Sequence, residues 1–497
     1  MGHPFPPDVA FDGGDLDCGN GLLLLIRRHI DPLPLGGLLE VRSTEISVGE
    51  DLPAWCRMTN NELVSHYREG KEWNFLISKG AFKPSPEGAA KVQAPLPRPV
   101  VTVVHPTALP APAPAPAIPR LAVMGIGSWP RPRWLLSALH ERLEGRLAEE
   151  PFAETADDAV RLAVQAQLAA GVDVVSDGEQ RRDNYASFVG ARLDNCQLVP
   201  ITDLLPYVDD PVAFRAELDA LDVPAEQVRH PAVFGPVGRS RPLAVDELDF
   251  LGTLTGLPRK VALPGPYLLT RTMWMECISD RAYADREALA VDLVKVLRQE
   301  IAALLAAGAA LVQIDEPVLA EVVYGQAAAQ RSFMCGALGA RKAVPEELAF
   351  AESLLDALCD GFPPERLALH MCRGNWTTDV RAALTGDYAP LVDLLGRLPV
   401  GTLLLEGCTA RAGDIGLLRA LPASKRIGVG MVDQKDARVE SAAEVRVRLD
   451  RAIDLFGVDR VLLHPDCGFA TFADNPIASA EVARRKLAVL AEVARGA

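Results

Sequence analysis

The sequence predicts an α/β protein: a (β/α)8 barrel that follows a small βαβ-type α/β sandwich domain and a proline-rich linker. Over residues 120–497, short and nearly all-apolar runs alternate with alanine- and leucine-rich helical stretches. Repeated prolines come just before them, and a short unit of mixed strand and helix character comes first. Strands that alternate with helices indicate a parallel sheet, and strands that are apolar on both faces fit a barrel covered by helices.

Eight segments have the short, apolar and often β-branched composition of buried strands. They are Leu121–Met124, Val172–Ser176, Lys260–Leu263, Leu311–Ile314, Arg366–Leu369, Thr402–Leu405, Arg426–Val429 and Val461–Leu463. Eight parallel strands with intervening helices, such as Arg286–Ala307, are typical of a TIM barrel. Two connections, residues 180–258 and 318–365, are long, and we expect them to carry extra helices or lids.

The linker is marked by Thr107–Pro119, which reads TALPAPAPAPAIP. Repeated proline favours an extended, semi-rigid tether. The predicted domains are therefore residues 9–80, a linker at 81–119, and a barrel at 120–497. In the first domain we predict strands and helices at four places: strands at Leu38–Arg42 and Asn74–Ser78, and helices at Gly21–His29 and Asn61–Gly70.

Composition excludes several classes of protein. The chain of 497 residues carries a net charge of −15 and no basic stripe, so we expect no nucleic-acid partner and no membrane partner. Met1–Pro7 has neither a basic segment nor an apolar core of the secretory type. The nine cysteines are odd in number and widely spaced, which argues against a disulfide framework. We expect a cytoplasmic protein.

Four potential metal ligands follow predicted strands closely: His370, Cys372, Glu406 and Cys467. The catalytic end of a barrel is the carboxyl end of its strands, so these side chains should converge there. One imidazole, two thiolates and one carboxylate form a set that binds zinc in a tetrahedron. The alternative is a buried core histidine with cysteines that act as small apolar residues. A metal-stabilised scaffold that presents the small domain to partners is a further alternative.

Two acidic residues also follow predicted strands, Glu179 after the second and Asp315 after the fourth. Two carboxylates at a barrel mouth can hold the ammonium group of a substrate. The alternative is an ion pair with Arg181 or Arg182, or an N-cap of the next helix. A zinc ion beside such a site would lower the pKa of a bound thiol, so that a thiolate could attack an alkyl group at neutral pH.

Residues of about 120–475 resemble the catalytic barrel of the cobalamin-independent methionine synthase family, in its short core form. The resemblance rests on ordered motifs: Ile126-Gly127-Ser128-Trp129-Pro130, Asp177-Gly178-Glu179-Gln180-Arg181-Arg182-Asp183, Ile314-Asp315-Glu316-Pro317, His370-Met371-Cys372, Glu406 and Pro465-Asp466-Cys467-Gly468. It implies methyl transfer from methyltetrahydrofolate to homocysteine, with zinc bound by His370, Cys372, Glu406 and Cys467. It also implies that Ile126, Gly127, Ser128, Glu179 and Asp315 bind homocysteine.

The chain departs from the family pattern after the seventh strand. Where full-length members have a histidine that protonates the folate leaving group, this chain has Lys435. A lysine donates a proton readily only if its pKa is lowered. Lys435 is therefore the candidate catalytic proton donor, and the methyl donor is either methyltetrahydrofolate or another compound such as a methyl-corrinoid protein.

The first domain resembles the small sulfur-carrier domains of the TusA/SirA type. The resemblance rests on Asp17-Cys18, the following helix, Gly37-Leu38-Leu39-Glu40-Val41 and Asp51-Leu52-Pro53-Ala54-Trp55-Cys56. It implies that Cys18 carries a persulfide at a helix N-terminus and that a sulfur-relay partner exists. Here the family's two prolines are replaced, since the motif reads Cys18-Gly19-Asn20-Gly21. Alkyl transfer to sulfur delivered by Cys18 is one alternative function, and a docking or regulatory role is another.

Overall fold

The structure is a computed structural model that describes most of the chain. It covers residues 2–18, 21–83, 100–201, 228–275, 282–325, 342–473 and 476–497, with isolated positions at 212, 215, 216, 218 and 279. Parts of the predicted linker and of both long connections, and positions 19 and 20 of the Cys18 motif, lie outside the described residues.

The amino-terminal domain is a four-stranded sheet with two helices. Its elements are β1 (Val9–Asp12), α1 (Leu22–Ile30), β2 (Leu38–Ser43), α2 (Val48–Met58), β3 (Glu62–Glu69) and β4 (Glu72–Ser78). The strand order is β1-β2-β4-β3. Strands β1 and β2 are parallel, with Val9 opposite Leu39, so β1, α1 and β2 form a βαβ unit. Its first strand, β1, was not predicted, and the two predicted strands, β2 and β4, pair antiparallel. The two later strands pair antiparallel to each other, and β4 also pairs antiparallel to β2.

One prediction in this domain is wrong. The segment predicted as a helix at Asn61–Gly70 is the edge strand β3, which is largely exposed and pairs with β4. Its glutamates and arginine favour a helix, but Val64 and Tyr67 suit a pleated surface, and pairing across a short connection decides the outcome. Helix α2 was not predicted, because Pro53 interrupts its helical pattern.

The carboxyl-terminal domain is built around a parallel sheet. Six strands in the order β12-β11-β10-β9-β8-β7 are hydrogen-bonded side by side. They are β7 (Lys260–Pro264), β8 (Leu311–Asp315), β9 (Leu367–Met371), β10 (Thr402–Leu405), β11 (Arg426–Val432) and β12 (Val461–Pro465). Their residues are almost all buried, as expected for strands covered on both faces.

The two remaining predicted strands close the sheet through isolated parallel bridges. Val123 pairs with Leu463 of β12, and Met124 pairs with Val174. Val175 in turn pairs with Arg259, next to the start of β7. The chain of pairings returns to its starting strand, so eight parallel segments form a ring, and all carboxyl ends open on one side.

Helices and a hairpin surround the ring. The helices are α3 (Arg133–Leu143), α4 (Glu149–Ala170), α5 (Val245–Leu254), α6 (Pro266–Met273), α7 (Arg286–Ala306), α8 (Val318–Tyr324), α9 (Val344–Cys359), α10 (Val392–Arg397), α11 (Ala442–Phe456) and α12 (Ala480–Arg495). The hairpin consists of β5 (Asp194–Pro200) and β6 (Arg229–Gly238), which pair antiparallel. No described helix is both long enough and apolar enough to cross a membrane.

The described part of the linker lies against the barrel in an extended conformation. The Ala113 N–H donates to the Leu305 carbonyl at 3.0 Å, and the Arg366 guanidinium donates to the Ala113 carbonyl at 3.1 Å. Ile118 packs on the cluster that fills the barrel base. The proline-rich stretch is therefore held along the barrel over these residues.

The amino-terminal domain contacts the hairpin of the barrel domain. Leu24 of α1 is fully buried among Val199, Ala232 and Met275. The Gln197 amide donates to Asp31 at 2.8 Å, and Arg28 lies 5.2 Å from the centre of the Phe234 ring. An apolar centre with a polar edge makes this a specific contact between the two domains.

Each domain has its own apolar core, and we predict that they respond separately to cavity-forming substitutions. Phe75 is fully buried in the amino-terminal core, and Leu403 is fully buried in the barrel core. Phe75→Ala should destabilise its own domain by about 3–5 kcal/mol, and Leu403→Ala should cost the barrel about 2–5 kcal/mol.

Amide hydrogen exchange of the two variants measures both domains at once. In Phe75→Ala, exchange should accelerate in residues 9–78 and remain unchanged in β7–β12, and the reverse should hold for Leu403→Ala. Equal acceleration of both domains in both variants would show one cooperative unit instead.

Candidate metal centre

His370 is positioned by the register of two neighbouring strands. It lies in β9, directly opposite Asp315, the last residue of β8. The two side chains share a hydrogen bond of 2.9 Å between Nδ1 of His370 and Oδ1 of Asp315, and both are buried. A carboxylate accepts the Nδ1 proton, which leaves Nε2 as the free lone pair of the imidazole.

Two cysteines converge on that free nitrogen. Cys372 follows β9, and Cys467 follows β12. The Cys467 sulfur lies 3.9 Å from Nε2 of His370, and the ligand atoms of all three residues lie within 4.8 Å of one another. One imidazole nitrogen and two sulfurs, with a carboxylate behind the imidazole, are a donor set that fits a tetrahedral metal with one position left for another ligand.

The electrostatics of the three residues favour binding of a cation. Burial lowers the pKa of His370, but the hydrogen bond and charge of Asp315 outweigh it, so the pKa is raised overall. The pKa of Cys372 is lowered to about 7, chiefly because Cys467 donates a hydrogen bond to it. The same hydrogen bond raises the pKa of Cys467. The pair therefore forms one thiolate easily and resists a second, unless a cation compensates the charge.

Glu406, the fourth expected ligand, lies outside the three-residue group. It follows β10, and its Oε1 accepts from the Arg373 N–H at 2.9 Å. Its Oε2 accepts from Nε of Arg411 at 3.2 Å. Burial, followed by the neighbouring charge of Asp466, raises the pKa of Glu406 to about 7. The structure thus brings together three of the four predicted ligands and gives the fourth other partners.

The predicted amino-acid-binding residues lie beside the cysteines. Ser128 is buried, and its Oγ accepts from the Ala470 N–H at 3.3 Å. Gly127 is constrained by Glu179, because a Cβ at position 127 would lie 2.2 Å from Oε1 of Glu179. Only glycine allows the backbone and that carboxylate to approach so closely.

Glu179 is held in an unusual position. Its φ is +55°, a left-handed conformation that non-glycine residues seldom adopt. Oε2 has no hydrogen-bond partner among the described residues. Burial raises the pKa of Glu179 to about 7, although the Arg182 guanidinium opposes this shift. A strained, buried carboxylate with an unused oxygen is suited to a cationic ligand.

A cavity of about 50 Å³ joins the metal ligands to these groups. It is lined by Ile126, Ser128, Glu179, Tyr185, Asp315, Pro317, His370, Cys372, Gly374, Asn375, Trp376, Cys467, Gly468 and Thr471. Tyr185, Asn375, Trp376 and Thr471 were not predicted. Trp376 stacks on Phe472 with ring centres 5.5 Å apart. Its place four residues after Cys372 was the signal that could have identified it.

The two predicted catalytic residues differ in their position. The Lys435 ammonium donates to the Thr377 carbonyl. Burial and the Arg411 charge lower the pKa of Lys435, and the nearby charges of Cys467, Glu406 and Cys372 oppose this shift. Cys18 lies elsewhere, in a cleft of about 1300 Å³ between the amino-terminal domain and the barrel domain. Lys435 therefore lies near the metal centre, whereas Cys18 lines a different cavity.

Comparison with known proteins agrees with this geometry. The model of the family described as "Cobalamin-independent synthase, Catalytic domain" matches residues 121–495. The chain belongs to this family. It is accordingly an enzyme of the methyltransferase class, and the match covers the ring of strands and every residue of the metal centre.

Individual relatives cover the same part of the chain. A protein of Saccharolobus solfataricus named methionine synthase is 26% identical over 376 residues, which is 76% of this chain and 94% of the relative. A methionine synthase of Thermococcus kodakarensis is 26% identical over 381 residues, 75% of this chain and 96% of the relative.

Two solved structures share the fold. A B12-independent methionine synthase from a Shewanella species, in complex with selenomethionine, has a TM-score of 0.53 and 24% identity. It covers 78% of this chain and 97% of its own. A putative vitamin-B12 independent methionine synthase from Listeria monocytogenes has a TM-score of 0.55 and 18% identity. That match covers 77% of this chain and 98% of the Listeria chain.

We predict that Cys467→Ser abolishes metal binding without unfolding the barrel. The wild type should retain about one equivalent of a divalent metal after gel filtration, and Cys467→Ser should retain less than about a tenth of that, because a hydroxyl is a far weaker ligand than a thiolate. Metal analysis and circular dichroism check both points.

Cys196→Ser is the matched control, since Cys196 lies on the hairpin strand β5 and is not part of the ligand group. Its metal content should equal that of the wild type. Full metal retention in Cys467→Ser would contradict the ligand assignment, and loss of the folded spectrum would favour the metal-stabilised scaffold.

Proposed function

We propose that this protein transfers a methyl group to the sulfur of homocysteine and so forms methionine, with zinc as its metal. The proposal rests on one observation: a trio of metal ligands shares a cavity with two carboxylates suited to an amino-acid ammonium group. Zinc bound by His370, Cys372 and Cys467 would lower the pKa of the substrate thiol and hold it as a thiolate.

The residues around the cavity supply the binding groups for the amino-acid part of the substrate. Glu179 offers the unused oxygen described above, and Asp315 offers a carboxylate fixed by His370. A substrate ammonium between them would compensate two buried carboxylates that lie close together: after burial, the Asp315 charge also raises the pKa of Glu179. The thiol of a bound amino acid would then point toward the cysteines.

Lys435 is the proposed proton donor to the departing methyl carrier. Burial lowers its pKa, and the nearby Arg411 charge adds to the shift. A lysine with a lowered pKa gives up a proton more easily near neutral pH than an exposed lysine does. This supports methyltetrahydrofolate as the methyl donor, because its leaving nitrogen needs a proton. A methyl-corrinoid needs none, and it remains the second candidate donor.

The decisive experiment is an assay of methionine formation by the zinc-loaded protein with homocysteine and each donor in turn, methyltetrahydrofolate and methylcobalamin. Zinc-dependent methionine formation from one of them supports the proposal. Failure of the metal-loaded protein to methylate homocysteine with either donor, or to bind homocysteine, would contradict it.

We predict that Lys435→Met separates the two donors. With methyltetrahydrofolate, kcat should fall by about 10²–10⁴-fold, the usual contribution of a general acid. With a corrinoid donor, kcat should change little because no proton transfer is required. The KM for homocysteine is the internal control and should remain unchanged. An unaltered kcat with methyltetrahydrofolate would remove Lys435 from the mechanism.

Alkyl transfer to sulfur delivered by Cys18 is the second candidate function. Cys18 precedes helix α1 of a βαβ unit and lines the cleft between the two domains. We infer a domain related to the TusA-type carriers, whose cysteine is shielded in this arrangement. Burial, followed by the charges of Asp51 and Asp17, raises the pKa of Cys18 to about 12. Sulfur delivery would require Cys18 to leave this environment.

We predict that Cys18 is alkylated slowly at neutral pH. Since its pKa is raised, the reactive thiolate forms only as the pH approaches about 12. The rate of iodoacetamide labelling, followed by peptide mass spectrometry, should therefore keep rising about tenfold per pH unit beyond pH 9. Free glutathione, labelled in parallel, should level off earlier. A plateau for Cys18 near pH 7 would show an exposed, activated thiolate and favour sulfur delivery.

A further inference from the structure

A buried lysine inside the barrel has no role in the proposed chemistry so far. Lys260 is the first residue of β7 and is 1% exposed. Its Nζ donates to the carbonyls of Gly125 and Ile126 at 2.6 and 2.7 Å, and to Oε1 of Gln313 at 2.6 Å. The two carbonyls belong to the segment that continues into Gly127 and Ser128.

The three acceptors require the charged form of the lysine. An ammonium has three protons to donate, whereas a neutral amine has two and one lone pair. Burial lowers the pKa of Lys260 to about 7, and the charges of Asp315 and Glu179 oppose this. Three short hydrogen bonds and two nearby carboxylates offset part of the cost of burying the charge.

Gln313 connects the lysine to the metal centre. Its Oε1 faces Lys260, and its Nε2 donates to Oδ1 of Asp315 at 2.7 Å. The amide has one orientation only, because the ammonium needs an acceptor and the carboxylate needs a donor. The same Oδ1 bonds Nδ1 of His370. One continuous chain of hydrogen bonds therefore runs from Lys260 through Gln313 and Asp315 to His370.

We propose that Lys260 is a positioning residue that fixes the Gly125–Ser128 segment and the Asp315 carboxylate in the arrangement that binds the amino-acid substrate. The identity of the substrate, homocysteine, rests on the proposed function. The role of Lys260 in holding the Gly125–Ser128 segment does not depend on that function. Lys260 does not line the substrate cavity, and its hydrogen bonds reach the cavity residues through the backbone carbonyls and Gln313.

Lys260→Met removes the charge and keeps a long apolar side chain. We expect the Kd for homocysteine to rise on the order of tenfold or more, because charge-assisted hydrogen bonds hold the binding segment. The KM for homocysteine should rise by the same factor, kcat at saturation should change less than about threefold, and zinc content should stay at the wild-type level. Amide exchange in residues 122–131 should accelerate on the order of tenfold.

Lys425→Met is the matched control. Lys425 is also buried, and its Nζ donates to two backbone carbonyls, those of Leu398 and Val400, at 2.5 and 2.9 Å. It immediately precedes β11 and so lies at the end of the barrel opposite the site. This variant should lose comparable thermal stability, with unchanged homocysteine affinity and unchanged exchange in residues 122–131.

Gln313→Leu keeps the two carbonyl contacts of Lys260 and removes both hydrogen bonds of Gln313, the one from Lys260 and the one to Asp315. It should weaken homocysteine binding with little change in exchange at residues 122–131, and it replaces Lys260→Met if that variant does not fold. Unchanged exchange in Lys260→Met, or an unchanged homocysteine Kd in both variants, would overturn the positioning role. If the wild type binds no homocysteine, the proposed function fails, while the exchange of residues 122–131 still decides the role of Lys260.

Discussion

The hydrogen bond between Nδ1 of His370 and Asp315 is the interaction on which the rest of the site depends. It fixes the imidazole so that Nε2 faces Cys467, and it joins a metal ligand to a carboxylate that faces the substrate cavity. Without it, the imidazole could rotate or exchange tautomers, and the three ligand atoms would lose their common geometry. In the proposed function, this one contact would serve both metal binding and recognition of the amino-acid substrate.

That contact follows from strand register. Parallel pairing of β8 and β9 sets Asp315 opposite His370, while the bridge between Val123 and Leu463 brings the first and last segments of the ring together. Cys467, which follows the last strand, thereby meets residues nearly a hundred positions earlier in the chain. Ring closure is thus a requirement of the site, since an open sheet would leave β12 at a free edge, far from β8.

The sequence predicts the convergence of His370, Cys372 and Cys467, because ligand-type residues that follow apolar strands can meet only at the carboxyl end of a parallel barrel. It does not predict the series of hydrogen bonds from Lys260 to His370. A lysine at the start of a strand resembles an exposed strand end, and nothing local shows that its side chain reaches the Gly125 carbonyl inside the barrel. Nor does it predict β3, where pairing with β4 overrides the helical composition of residues 61–70. Both features depend on contacts between residues far apart in the chain or on strand pairing, and local sequence patterns do not indicate such contacts.

Glu406 shows why a fourth ligand identified from sequence has other partners in the structure. Its carboxylate is shared between the Arg373 N–H and the Arg411 guanidinium, and Arg411 also lies within 3.4 Å of Asp433. A carboxylate neutralised by an arginine is a weaker ligand than a free one, because the guanidinium competes for the same lone pairs. If a metal is held by His370, Cys372 and Cys467 as proposed, the pairing of Glu406 with Arg411 would leave the fourth position of a tetrahedral ion to the substrate thiol.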